Sequence, residues 1–171
     1  FQHIENCIHR LGELGIEADL IMMHPYDRWG FSQMTKEQDD LYWNYAIARF
    51  SAFANVWWSL ANEYDLMPHK TLDDWEHYAT ILCEKDPYHH MRSIHNCISL
   101  YDFSKPWITH CSVQRTDLYK SAECTNELRE RYRKPVVLDE IAYEGDIQHG
   151  WGNLTGEEML RRFWEAACRG G

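Results

Sequence analysis

The stretch Asn55-Val56-Trp57-Trp58-Ser59-Leu60-Ala61-Asn62-Glu63-Tyr64-Asp65 is an apolar run that stops abruptly at an amide beside a carboxylate. Its Val and Trp content, with no period-two pattern, predicts a strand covered on both faces, as in a parallel sheet whose crossover helices pack on each side. Glu63 then stands at the strand's carboxyl end, where the loops of parallel α/β folds form a crevice and carry the chemistry. Lys134-Pro135-Val136-Val137-Leu138-Asp139-Glu140 repeats the pattern, a buried-looking strand running out into carboxylates. Two glutamates on two strand ends are the first candidates for chemistry.

Upstream of the first stretch, Ile4, Cys7, Ile8, Leu11 and Leu14 follow helical spacing, and Gly15 takes the C′ position. Residues 18–23 form a short apolar strand that ends in a polar and aromatic loop, His24-Pro25-Tyr26-Asp27-Arg28-Trp29-Gly30. Thr35-Lys36-Glu37-Gln38 is a capping-box pattern opening a helix of about 18 residues. Thr71-Leu72-Asp73-Asp74 opens another, with Trp75, Tyr78, Ala79, Leu82 and Cys83 on its apolar face and Asp86-Pro87 as its stop. Residues 92–97 and 106–113 read as two further strands, and the interval 98–105 is too short for a crossover helix. Thr116 or Asp117 caps a helix that runs through Arg133, and Thr155-Gly156-Glu157-Glu158 is a third capping box. The order α-β-α-β-α-β-(loop)-β-α-β-α, without hairpins, predicts an α/β fold: a parallel sheet with alternating helices and right-handed crossovers. Five strands make a partial TIM (β/α)8 barrel, about strand 3 to helix 7, in one domain spanning 1–171. An open doubly wound sheet is the rival, although no Gly-rich phosphate loop follows any strand. Phe1 at one end and Arg169-Gly170-Gly171 at the other read as cut from a longer chain.

A net charge of −10 and a pI near 5.4 argue against nucleic acid as a partner, and no apolar stretch approaches the ~18 residues of a membrane span. The basic run Arg129-Glu130-Arg131-Tyr132-Arg133-Lys134 reads as the solvated end of a helix. Six cysteines, with no C-x-x-C pair, read as reduced thiols, and a cytoplasmic location is expected.

Retaining glycoside hydrolysis needs two carboxyl groups about 5–5.5 Å apart, one to protonate the leaving oxygen and one to attack the anomeric carbon. Glu63 and Glu140, 77 residues apart (140 − 63), are spaced as about three βα repeats with one shortened. Trp58-Ser59-Leu60-Ala61-Asn62-Glu63 resembles the fourth-strand Asn-Glu motif of the clan-A glycoside hydrolases, and residues 134–140 resemble their seventh-strand nucleophile motif. The continuation Ile141-Ala142-Tyr143-Glu144-Gly145 is similar to the apiosidase-like glycoside hydrolases of that clan, and the resemblance covers nearly the whole chain. It implies a carbohydrate substrate, Glu63 as general acid/base, Asn62 as the residue that holds the sugar 2-hydroxyl, Glu140 as nucleophile, and no cofactor. Gly145 comes later than the glycine usual after the nucleophile, which leaves Glu144 in competition with Glu140.

Other strand-end residues are candidates for sugar hydroxyls: His24 and Asp27, His95, His110 and Gln114. Trp29 and Trp151 are candidates for stacking on a pyranose face. For a lone His or Trp, core or rim packing is the commoner role. Two other functions stand beside the glycosidase. His24, His95, His110 and His149 converging on Zn²⁺ would make a metal-dependent, amidohydrolase-like hydrolase, but metal-ligand spacing is lacking and no metal site is assigned. A non-catalytic carbohydrate-binding or structural fragment is the other, and its open sheet edges would invite association with a second copy.

Overall fold

The computed structural model describes residues 1–115 and 122–171. Helices α1 (Gln2–Glu13), α2 (Lys36–Phe50), α3 (Leu72–Lys85), α4 (Cys124–Tyr132) and α5 (Gly156–Cys168) alternate with strands β1 (Ala18–Ile21), β2 (Val56–Ser59), β3 (Arg92–Ser93), β4 (Cys111–Gln114) and β5 (Val136–Glu140), with β3 and β4 adjacent in sequence. The expected helix cap at Thr116 or Asp117 lies outside the described residues.

β1, β2 and β3 form one parallel sheet, and β4 and β5 form a second. The two are joined at β3. The Thr109 N–H donates to the Arg92 carbonyl (2.9 Å), and the Ser93 hydroxyl donates to the His110 carbonyl (2.6 Å). Arg92–Thr109 and Ser93–His110 advance together, so the strands keep one direction across the junction. Spatial order therefore equals sequence order. A doubly wound sheet would reverse its order at a switch point, and a barrel wall does not.

The sequence explains most element ends. Gly15, at φ 71°, closes α1 in a Schellman motif, with Ile16 N–H bonded to the Leu11 carbonyl (2.9 Å) and Gly15 N–H to that of Gly12 (3.0 Å). The capping boxes at Thr35–Gln38 and Thr71–Asp74 are both complete. The third is half made: Thr155 caps α5 through Glu158 N–H, but the Glu158 carboxylate turns away to Arg161 and Arg162. The strand expected over 106–113 starts only at Cys111. Two contacts hold the preceding segment off the sheet. Trp107 donates its indole N–H to Glu76 on α3 (3.3 Å), and Lys134 donates to the carbonyls of Phe103 (2.6 Å) and Lys105 (2.8 Å). Lys134 thus leaves the solvated cluster expected of it and clamps a turn.

β2 is the centre of the core, with Val56, Trp58 and Ser59 buried and Trp57 half-buried. On the helical side Trp43 of α2 stacks on Tyr78 of α3 (5.3 Å, 15°), with Trp75 edge-on to the same ring. Trp58, fully buried, donates its indole N–H to Asp86 (3.2 Å), whose buried carboxylate also takes the His90 backbone N–H (2.9 Å). Replacing Trp58 by Ala should cost about 3–5 kcal/mol in urea unfolding of the complete protein. Trp58→Phe keeps much of the apolar volume but removes one donor from Asp86, so a loss of about 1–3 kcal/mol is expected. Equal losses for the two variants would show that the Asp86 bond, not the ring, carries the effect.

Candidate active site

Three strand ends are tied together by main-chain bonds. Asn62 N–H donates to the Met23 carbonyl (2.9 Å), His95 N–H to that of Ala61 (3.0 Å), and Tyr64 N–H to that of His95 (2.9 Å). Glu63 sits inside this knot in the left-handed region, φ 47° and ψ 54°, and is only 6% exposed. A non-glycine residue in that conformation costs roughly 1–2 kcal/mol, and the bonds on either side hold it there. The result is a carboxylate turned into a cleft at the carboxyl ends of the strands.

The cleft has a volume of about 600 Å³ and is lined by Tyr26, Asn62, Glu63, Cys97, Gln114, Glu140, Tyr143 and Trp151. It brings Glu63 and Glu140 together with Asn62, Gln114 and Trp151 among the residues singled out from sequence. Tyr26, Cys97 and Tyr143 were not singled out. The Tyr26 hydroxyl donates to Glu63 Oε2, and the Cys97 thiol shares the cleft wall with Glu63. Tyr143 shares the wall with Glu140 and helps to hold its carboxyl low. Their nearness to the strand ends was the available signal: Tyr26 is in the loop after β1, and Tyr143 lies three residues past Glu140.

Glu144 is placed differently. It is exposed, its backbone bridges to Leu154, and a Cβ built on Gly156 would stand 3.4 Å from its Oε1. Its carboxylate therefore lies against the first turn of α5, where a helix N-terminus favours negative charge.

His95 does not line the cleft. At 3% exposure its ring is enclosed, with Nδ1 3.0 Å from Asp139 Oδ2 and Nε2 3.0 Å from Gln114 Oε1 and 3.3 Å from Glu140 Oε1. Burial alone would lower its pKa, but hydrogen bonds to Asp139 and Glu140 push it up to about 10. Glu140 responds in the opposite sense: the His95 hydrogen bond holds its carboxyl below the usual range against the effect of burial, with Tyr143 helping. Burial and the neighbouring Glu63 push the Cys97 thiol up to about 11, so it is neutral. His110 is also enclosed, packed on Trp57 (5.4 Å) with Nδ1 3.0 Å from Thr109 Oγ1, and burial lowers its pKa.

His24, Asp27 and Trp29 line a separate hollow of about 400 Å³ along β1. Asp27 folds back on its own loop, accepting from the N–H groups of Trp29 (2.8 Å) and Ser32 (3.1 Å), and Trp29 is 81% exposed. His149 stacks on Trp151 (5.4 Å, 4°). Among the described residues no three His, Cys, Asp or Glu side chains are grouped to hold a metal ion, and no helix is long and apolar enough to cross a membrane.

The loop floor is set by Asp65, whose carboxylate accepts three consecutive N–H groups, from Cys97 (2.7 Å), Ile98 (2.8 Å) and Ser99 (2.8 Å). Asp65→Ala should raise the hydrogen-exchange rates of those three amides by about tenfold or more, since a bond to a charged acceptor is worth roughly 1.5–3 kcal/mol. Unchanged rates would mean that the loop is held by other contacts.

Against known proteins, the family model of the apiosidase-like catalytic domain matches residues 1–171. A provisionally assigned glycoside hydrolase of Bacteroides vulgatus is 43% identical with a TM-score of 0.92, over 97% of this chain and 33% of that one. A glycoside hydrolase family 5 structure from the same organism superposes with a TM-score of 0.72 at 16% identity, over 99% of this chain and 41% of that one. A Bifidobacterium dentium β-glucuronidase gives 0.60 at 17%, over 96% and 30%. The chain thus spans about a third of the first of these structures. No curated protein matches it significantly.

Proposed function

The chain belongs to the apiosidase-like catalytic-domain family, and on that premise we propose that the complete protein hydrolyses an O-glycosidic bond by double displacement, with Glu140 as nucleophile and Glu63 as general acid and base. The observation that carries this reading is the unequal company of two glutamates in one cleft. Glu140 faces the His95 ring, which favours its carboxylate form, while Glu63 is met by the neutral Tyr26 hydroxyl and Cys97 thiol. A nucleophile must be ionised when the sugar arrives, and its partner must deliver a proton to the leaving oxygen.

In the first step Glu140 attacks the anomeric carbon as Glu63 protonates the departing oxygen, leaving a glycosyl ester on Glu140. In the second, Glu63, now ionised, takes a proton from water as the water attacks the same carbon, and Glu140 departs as carboxylate. Asn62 holds the 2-hydroxyl, and Trp151, on the cleft wall, offers a ring face to the pyranose. The substrate class is a glycoside.

Azide and an activated aryl glycoside separate the roles in the complete protein. Glu140→Ala should lose turnover with every leaving group, and azide entering from the vacated face should give a product of inverted configuration. Glu63→Ala should keep the first step for a leaving group of low pKa and accumulate the intermediate. Azide should then restore turnover with retained configuration, while a poor leaving group loses about 10²–10⁴-fold. Glu144→Ala should leave the rate near that of the natural protein. Loss of activity in Glu144→Ala with Glu140→Ala active would move the nucleophile to Glu144 and defeat the assignment.

A further inference from the structure

We propose that His95 is the positioning residue for both glutamates, its main chain setting the Glu63 turn and its ring, backed by Asp139, aiming the Glu140 carboxylate. This rests on the glycosidase reading for its kinetic consequence, although the geometry stands on its own. The His95 N–H and carbonyl bond to Ala61 (3.0 Å) and Tyr64 (2.9 Å), so they bracket Asn62 and Glu63 directly. The ring projects the other way and meets β5: Asp139 Oδ2 at 3.0 Å from Nδ1 and Glu140 Oε1 at 3.3 Å from Nε2. One residue therefore fixes the separation of the two carboxyls. Small changes in that separation are costly to such chemistry, which requires groups held to within fractions of an ångström.

Consecutive strand residues point to opposite faces, so Asp139 and Glu140 could not both reach one ring in a regular ladder. The ladder is irregular here: β4 and β5 slip register between Val113 and Gln114, and Gln114 pairs with Glu140 rather than Asp139. That irregularity brings both carboxylates to the imidazole. Gln114 Oε1 also faces Nε2 (3.0 Å), and Ser112, which donates to Asp139 Oδ2, lies 3.3 Å from Nδ1. Both ring nitrogens are thus faced by acceptors, an arrangement that suits an imidazolium donating twice. The pKa of Asp19 on β1 is pushed up to about 6, largely by burial, with Asp139 raising it and His95 lowering it; on the other side that of Glu140 is helped down by Tyr143, and Glu140 itself raises those of Cys97 and Tyr26. Asp139 is the countercharge that keeps the ring a donor. With Asn at position 139 the ring loses its proton more easily, and Nε2 then presents a lone pair to Glu140.

The direction with pH follows. A cation beside Glu140 lowers its pKa, so removing the cation raises that pKa, and activity that needs ionised Glu140 begins at higher pH. In the complete protein with ¹⁵N-labelled histidine rings, His95, identified by the signal missing in His95→Gln, should show two protonated nitrogens at about pH 8, where a free imidazole is neutral. Asp139→Asn should return it to the neutral pattern. With the same activated aryl glycoside, the acidic limb of kcat/KM should move up by about one pH unit in Asp139→Asn and in His95→Gln. The near-isosteric Asp139→Asn serves both measurements if His95→Gln does not fold. A neutral ring at that pH in the natural protein, or an acidic limb unmoved in Asp139→Asn, overturns the proposal. An imidazolium in a protein that cleaves no glycoside keeps the positioning role and dismisses the glycosidase; a neutral ring in an active glycosidase does the reverse.

Discussion

The left-handed turn at Glu63 is the constraint on which the rest depends. A parallel strand that ends in the interior leaves backbone donors and acceptors with no next residue in the ladder, and buried ones must find partners. Here the partners are the ends of the neighbouring strands: the carbonyl of Met23 after β1 and both backbone groups of His95 after β3. Satisfying them requires the chain to reverse at Glu63, and the reversal turns its side chain into the cleft. After β5, buried Ala142, at φ 71°, is another non-glycine residue in the left-handed region. Strain at the Glu63 turn is the local cost of aiming its carboxylate from a strand end.

An enclosed histidine between two carboxylates is the second consequence. Glu140 is half-buried and Asp139 exposed, but the His95 ring they face is enclosed, and a protonated ring there would be costly without partners. Asp139 at Nδ1 and Glu140 at Nε2 give an imidazolium an opposite charge on each side. The arrangement is asymmetric. Glu140 shares the cation, while Glu63 is served by a hydroxyl and a thiol. Chemistry that uses two carboxyls in different protonation states needs such an inequality of environment, and the difference begins with which strand end each glutamate occupies.

Much of the wall was legible from sequence because its signals are local. An apolar run stopped by a carboxylate marks β2 and β5, and Thr with an acid or amide three residues on marks helix starts. Where a local signal had a stronger long-range competitor, it misled. Residues 106–110 have strand composition, but Glu76 and Lys134, distant in sequence, hold the adjoining turn. Glu158 completes the spacing of a capping box and instead pairs with two arginines. His95 reads as a cleft residue because it follows a strand, yet its orientation depends on an irregular register between two other strands. No pattern within 92–97 encodes that. The partnerships of Tyr26 and Tyr143 were hidden for the same reason, since each joins a loop to a glutamate only through the closed wall.

The loops around the cleft show how an acidic chain uses its charge. Asp27 gathers the amides of Trp29 and Ser32 and Asp65 those of residues 97–99, while at the other end of β3 Asp86 gathers those of Tyr88 and His90. Each carboxylate replaces the regular hydrogen bonding that a loop lacks, and bonds to a charged acceptor are about twice as strong as neutral ones. The negative charge is thereby distributed into fixed backbone contacts beside the cleft instead of standing free within it. On the proposed glycosidase reading, a neutral polyhydroxyl ligand would meet a mouth walled by Tyr26, Tyr143 and Trp151, with Glu63 and Glu140 placed to act on it. The carboxylates that stiffen the loops and the carboxylates aimed into the cleft are the same chemical group, separated in role by whether backbone amides surround them.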